Sequence, residues 1–390
     1  MIKSYTAFTN EIDDAELAVS EILAQLELPG KLLKSSVGIL SCYTEFVDLL
    51  VVKAICEALP FDVVGMTTIA NAAPDEYGET MLNLLVLTSD DVEFVTGVTE
   101  KIDSEDEEII RRGYEAIARP GEKPSLMFSF VPLLLNVGGD FYINAFDKVS
   151  GGVPNFGSFA IEHGNTIEEH EKFKTVYNGI ADSDRCSFVL AYGETTPKFY
   201  VGTISDDKIF SEKGAVTTSS GNILETVDGM PMLDYLLSVG LSPSDVGSIP
   251  VASTFPIIVD SNDGMPPIVR VMLALMPEGH IVCGGEIPNG ATISIGEFDP
   301  VEICKTTKRT IETALSENAE GTFIMFSCVG RYFVQGLNQT AEMKCVKEAM
   351  EGTNHPYFFA YSGGELCPIS SPDGEFSNRN HNNTFIICVL

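Results

Sequence analysis

The sequence predicts an α+β protein of mixed α/β character, built as two fused domains whose mixed sheets are flanked by helices. Three observations predict it. Apolar stripes of helical period alternate with short, continuously apolar runs; a small, polar stretch divides the chain past its midpoint; and a β-α-β-β pattern near the start returns at the C-terminus.

Taken in order, Asn10 is placed to cap a helix reaching about Glu27, with Ile12, Ala15, Val19, Ile22, Leu23 and Leu26 on one face and Pro29-Gly30 ending it. A strand "VGILSCY", a helix from Glu45 to Leu59 stopped by Pro60, and a strand "FDVVGMT" make a β-α-β unit. Strands "LNLLVLTS" and "VEFVTGVT" follow, and Ser104 with Glu107 forms a capping box for the next helix. The glycine-rich "VGGDFYINAFDKVSGGVPNFG" fits neither phosphate-binding pattern and reads as loop and turn. "RCSFVLAYG" and "PKFYVGTIS" read as a hairpin turning at Gly193 to Pro197.

"SEKGAVTTSSG", from Ser211 to Gly221, is the expected junction, giving domains over 1–212 and 213–390. Beyond it come a strand, a turn at Asp228-Gly229 and a short helix opened by Pro231. Four strand-like runs follow, "IPVASTFPIIV", "PIVRVMLALM", "HIVCG" and "ATISIGEF", and then a helix capped by Asp299-Pro300. The last segment, "GTFIMFSC", "AEMKCVKEAM", "YFFAYSGGELCP" and "NNTFIICVL", repeats the early order of strand, helix, strand, strand. In both places a strand ends on Ser-Cys, at Cys42 and Cys328, which predicts an internal duplication with a pseudo-two-fold relation.

The chain has 390 residues, of which 24 are Lys or Arg and 56 Asp or Glu, for a net charge of −32. With 44% hydrophobic residues beside it, that charge describes a folded acidic surface and argues against nucleic acid or an anionic membrane as partner. The longest apolar run, Leu126 to Val137, is too short to span a bilayer and contains Pro132, and the N-terminus lacks the apolar core of a secretory signal. A cytoplasmic protein is expected. Nine cysteines without a C-x-x-C pair suit a reducing compartment, where thiols serve as small apolar fillers. Metal is not expected: His163 and His170 have no recognisable ligand spacing, and the acidic runs lack the calcium-loop pattern.

"AVTTSSGNILETVDGMPMLDYLLS", "VRVMLALMPEGHIVCGGEIPNGATISIGEF", "FSCVGR" and "GELCPISSPDGEFSNRNHNNTFIICVL" together resemble the FIST family, the F-box and intracellular signal transduction sensory module. "VGILSCYTEFVDLLVVKAICEALPFDVVGMTTIANA" is similar to its N-terminal domain, so the resemblance runs from about Lys34 to the C-terminus. It implies a two-domain intracellular sensor of a small molecule such as an amino acid, not an enzyme, whose output passes to a signalling partner protein. One branch of the family is associated with haem and nitric-oxide sensing; no cofactor is expected here, because no C-x-x-C-H is present and histidines are few.

Candidate ligand-binding residues come from the strand-to-helix connection "SCVGR" and from the tail. Sites gather at such connections, at the C-terminal edge of a sheet. Ser327 and Cys328 end the strand, Gly330 permits close backbone approach, and Arg331 offers a fork for a carboxylate. A structural ion pair of Arg331 with Glu342 is the equal alternative. Glu365, His381, Asn382 and Asn383 supply donors and acceptors suited to an α-amino and α-carboxyl group, with simple turn formation as the alternative for "SNRNHNN". Cys328 as the nucleophile of a hydrolase or transferase would need a base such as His381 and a lowered pKa; packing is the expectation for it.

Overall fold

The computed structural model describes residues 1–134, 136–163, 173–242 and 253–390; His170 and the start of the strand expected from 249 lie outside them. The chain is α+β throughout. It opens with a strand that the sequence pattern does not announce, β1 (Ile2–Thr9), then α1 (Ala15–Leu26), β2 (Ser35–Cys42), α2 (Glu45–Asp48), α3 (Val51–Ala58), β3 (Val63–Thr67), a small hairpin β4 (Asn71–Ala72) and β5 (Tyr77–Gly78), and β6 (Leu82–Ser89). A second unit holds β7 (Glu93–Val98), α4 (Glu107–Glu115), β8 (Leu126–Val131), α5 (Gly139–Ser150), β9 (Asn155–Phe159), the hairpin β10 (Thr175–Tyr177) and β11 (Ile180–Asp182), and β12 (Ser187–Tyr192).

The third unit begins with β13 (Lys198–Gly202) and is interrupted by β14 (Gly214–Ser220), β15 (Ile223–Val227), β16 (Met230–Pro231), α6 (Met232–Ser238), β17 (Ile257–Asp260), β18 (Ile268–Arg270), β19 (Met272–Leu275), β20 (Ile281–Cys283) and β21 (Thr292–Ile295), which form a sheet of their own. It resumes with α7 (Pro300–Glu317), β22 (Phe323–Cys328), α8 (Val329–Val334), α9 (Ala341–Met350), β23 (Tyr357–Ser362), the hairpin β24 (Glu365–Ser370) and β25 (Phe376–His381), and β26 (Phe385–Val389).

The three units share one topology. Their sheets run β1-β6-β2-β3, β7-β12-β8-β9 and β13-β26-β22-β23, each with two antiparallel pairings and then one parallel pairing. Each hairpin leaves its own unit to complete another sheet: β4-β5 extends β23, β10-β11 extends β3, and β24-β25 extends β9. The echo between the first and last segments is therefore matched by the chain's topology. A middle unit follows the same pattern, so a cyclic arrangement of three units replaces the expected two-fold relation. Register places Cys42, Val131 and Cys328 at the same point, the ends of the three inner strands, opposite Thr67, Phe159 and Ser362. Gly65 and Gly157 also coincide; a Cβ on either would lie 1.9 Å from the carbonyl oxygen of Leu40 or Ser129, so only glycine fits.

Local departures have local causes. Asp14 caps α1 by accepting from the Glu16 and Leu17 amides, and Asp106, rather than Ser104, caps α4. Leu50, at φ 64°, breaks the expected 45–59 helix into α2 and α3. The glycine-rich stretch is not a loop: its glycine pairs stand at the two ends of α5, whose Phe141, Tyr142, Ala145 and Phe146 are buried. The expected hairpin of β12 and β13 does not form, because β12 pairs with β7 and β8 while β13 pairs with β26. No helix among the described residues is long and apolar enough to cross a membrane.

Candidate functional site

β22 brings alternate side chains to opposite faces. Ser327 faces α7 and α9. Its hydroxyl donates to Glu342 Oε2 at 2.9 Å and accepts from Arg331 Nε at 3.2 Å. Arg331 reaches Glu342 Oε1 through Nε (3.0 Å) and Nη2 (2.8 Å), and Nη2 also meets Thr307 Oγ1 at 2.8 Å and the Ile303 carbonyl at 3.1 Å. Arg331 and Glu342 are both fully buried. A buried guanidinium is tolerable only with such pairing, so this geometry is the ion pair with Glu342, and Arg331 lines no cavity near Cys328.

Cys328 and Gly330 border a different space. A cavity of about 100 Å³ lies between the C-terminal ends of β8, β9, β22 and β23 and the interrupting sheet. Leu133, Ile161, Phe173, Val271, Leu273, Val329 and Phe333 make its apolar wall, and Ser253, Asn382 and Glu162 bring polar groups to it. Among the described residues Ser253 Oγ and Asn382 Oδ1 are buried and without a hydrogen-bond partner, the sort of group that a bound molecule satisfies. The other ends of these residues are fixed: Asn382 Nδ2 donates to the His381 carbonyl at 3.0 Å, and the Ser253 carbonyl accepts from Asn383 Nδ2 at 2.7 Å.

Gly330 and Gly284 are compelled by closeness. A Cβ on Gly330 would lie 2.0 Å from Asn383 Oδ1 and 2.7 Å from Ser253 Oγ, and one on Gly284 would lie 2.5 Å from Asn382 Oδ1. Asn383, at φ 53°, adopts the left-handed conformation that asparagine tolerates better than most residues. The far wall is held by Arg270, which donates to Asp140 Oδ1 on α5 at 3.0 Å and to the Asn380 carbonyl on β25 at 2.8 Å, clamping the interrupting sheet onto the body.

The expected residues thus separate. Cys328, Gly330 and Asn382 line the cavity, and Asn383 braces it through Ser253. Ser327 and Arg331 belong to the ion-pair network. Glu365 sits behind the cavity, buried, accepting from the Ser362 hydroxyl and from Thr384 Oγ1 at 2.6 Å; burial pushes its carboxyl up to about 8. His381 donates through Nε2 to the Cys367 carbonyl at 3.0 Å, and burial lowers its pKa to about 4. The Cys328 thiol is pushed well above its ordinary value, first by burial and then by Glu365, so it stays protonated at neutral pH. Sequence reasoning missed Leu133, Ile161, Ser253, Val271 and Leu273; only the Gly284-Gly285 pair carried a signal of close approach, since apolar residues at strand ends resemble core.

Of the described residues lining this cavity, Cys328 is the one of a type that ligates haem iron, and its thiol is held protonated by burial. Among the described residues no group of three or more His, Cys, Asp or Glu side chains could hold a metal ion.

Against known families, the chain matches the FIST N domain over residues 36–230 and the FIST C domain over 232–368. The search of curated proteins returns no match. Among solved structures, cyanuric acid hydrolase from A. caulinodans is similar at 8% identity, with 100% of this chain and 98% of that chain covered and a TM-score of 0.36. A second cyanuric acid hydrolase structure gives 7%, 100%, 98% and 0.35. Phosphoribosylformylglycinamidine synthase II from Thermotoga maritima gives 11%, 100%, 71% and 0.21.

Proposed function

Because this chain belongs to the FIST family, whose domains are small-ligand sensory domains of signalling proteins, we propose that the cavity beside Cys328 and Gly330 is its sensory site. The ligand is a small molecule with an apolar body and N–H or O–H donors, of the size of an amino acid side chain with its amino or amide group. The carrying observation is a buried hydroxyl, Ser253 Oγ, able to donate or accept, and a buried acceptor, Asn382 Oδ1, both without partners among the described residues at the edge of an apolar cavity. A cavity of about 100 Å³ is several times the roughly 10–15 Å³ that one water needs, and polar enough at one end to be filled.

Arg331 does not read the ligand, so a carboxylate on the ligand is dispensable. The wall belongs partly to the body and partly to the interrupting sheet, so occupancy ties the two together, and a signalling partner on the outside reads that change. Nothing in the site favours turnover: the Cys328 thiol is protonated, and His381 is spent on the Cys367 carbonyl. The test is a thermal-shift titration of neutral amino acids and their amides against the parent protein and Leu273→Trp, which fills the cavity. A ligand at one hundred times its Kd stabilises by about 2.7 kcal/mol; a shift equally large in the filled variant would place the ligand elsewhere.

A further inference from the structure

Asn382 lines the first cavity, but its chain neighbour His381 lines another. This second cavity, of about 390 Å³, lies where β13 and the segment after it meet β17 and β18 of the interrupting sheet and the hairpin of β24 and β25. Val201, Ile204, Ile258, Val269 and Ile369 give it an apolar wall, and its volume falls in the range of roughly 300–1,000 Å³ usual for small-molecule sites. Exposed Asp206, Pro266, Pro267 and Ser370 stand at its mouth.

His381 is 1% exposed, and its Nε2 lies 3.0 Å from the Cys367 carbonyl oxygen, which can only accept. Nε2 therefore carries the ring's proton, and in the neutral imidazole Nδ1 presents a lone pair. Burial keeps the ring neutral at pH 7, with its pKa lowered to about 4. Nδ1 is itself buried and has no hydrogen-bond partner among the described residues. Of the cavity's described lining it is the one buried side-chain atom left in that condition, and an unsatisfied buried acceptor is what a donor on a ligand relieves.

We propose that this cavity is a second small-molecule site, whose ligand is an apolar molecule of the indole or phenol class that donates one N–H or O–H to Nδ1 of His381. One acceptor set in an apolar wall suits a ligand with one donor and little else that is polar. Indole, which donates through its N–H and accepts nowhere, has that inventory. The Asp206 carboxylate at the mouth and the net charge of −32 disfavour an anion. The site stands apart from the sensory reading of the first cavity, because the two share no lining residue.

The experiment titrates indole into the full chain, isotope-labelled at its histidine ring nitrogens, and follows those nitrogens by long-range proton–nitrogen spectra. The chain has five histidines, so the signals are few, and the one missing from His381→Gln assigns His381. The parent protein should show the Nε2–H tautomer and an Nδ1 signal that moves upfield, saturably, as a lone pair does on accepting a hydrogen bond. Benzofuran, which has the same shape with an oxygen in place of the N–H, should bind about tenfold more weakly and leave Nδ1 in place. Thr203→Trp, which fills the cavity, should abolish the shift while its other histidine signals show a folded chain. Leu273→Trp, which fills the first cavity, should keep the shift. Indole that leaves Nδ1 unmoved, binds no more tightly than benzofuran, or binds Thr203→Trp as well as the parent would overturn the proposal, as would binding lost in Leu273→Trp, which would put indole in the first cavity.

Discussion

Two neighbouring regions at the end of β22 use the same kinds of residue to opposite ends. On one face Ser327 and Arg331 meet Glu342, Thr306, Thr307 and the Ile303 carbonyl, and both oxygens of Glu342 are taken, with Arg331 Nη1 left over without a partner among the described residues. On the other, Cys328 and Gly330 border a space where Ser253 Oγ and Asn382 Oδ1 have no partner. Charge goes where the fold can surround it. Capacity for a ligand is left where the Ser253 hydroxyl and the Asn382 carbonyl oxygen stand against an apolar wall. The difference teaches that an arginine beside a strand end is not evidence of anion binding until its partners are counted.

The largest effect that could break this contrast is at the closed side. Arg331→Met strands the Glu342 carboxylate in a fully buried position and should lower stability by about 3–5 kcal/mol in denaturant titration. A loss under 1 kcal/mol, together with lost binding, would move Arg331 to the ligand.

Next is pH, which probes the groups behind the open side. Glu365, raised to about 8 from 4.5, holds a proton when folded that the unfolded chain releases, so its contribution is full below 4.5 and fades as pH rises through 8. His381, lowered to about 4 from 6.5, acts oppositely: its contribution is full above 6.5 and fades as pH falls toward 4. From pH 4.5 to 6.5 the two slopes offset each other. From 6.5 to 8 Glu365 acts alone, and stability should fall by about 2 kcal/mol. Glu365→Gln should remove that fall and uncover a loss of stability below pH 6.5; a parent protein whose stability is flat from 6.5 to 8 would refute the assignment.

Filling the open side comes third. Leu273→Trp should weaken ligand binding at least tenfold, about 1.4 kcal/mol, in calorimetric titration, and leave the Arg331 network untouched. The smallest effect belongs to Cys328→Ala, which removes one packed thiol and should shift stability by about 1 kcal/mol and binding only a few-fold. Abolished function in that variant would reopen the question of chemistry at Cys328.

Much of this was legible in the chain. Continuous apolar runs marked β2, β6, β22 and β26, Asp299-Pro300 marked the start of α7, and the repeated Ser-Cys ending marked corresponding strands in the first and third units. The middle unit stayed hidden because topology was kept while Val131 took the place of cysteine. α5 was misread because its capping glycines also look like loop, and β25 was left open with a turn as one reading, because "SNRNH" has strand geometry only by pairing with β24. Of the residues expected at the site from the strand-end pattern, Cys328, Gly330 and Asn382 line the cavity. The walls from units two and three and the interrupting sheet meet only through pairings far apart in sequence, such as Arg270 with Asp140, which no local pattern carries.

The central claim is that the ligand is read by Ser253 Oγ and Asn382 Oδ1 in the cavity and not by Arg331, and one measurement addresses it without altering the protein. Calorimetric titration of leucine and phenylalanine is set beside that of leucinamide and phenylalaninamide, in which the carboxylate is replaced by an N–H donor. The account predicts that the amides bind as tightly as the acids or more tightly, because Asn382 Oδ1 only accepts, the Ser253 hydroxyl can serve an amide as well as a carboxylate, and no arginine is among the described residues lining the cavity. Binding by the acids that disappears with the amides would show that an anion is recognised, and would contradict it.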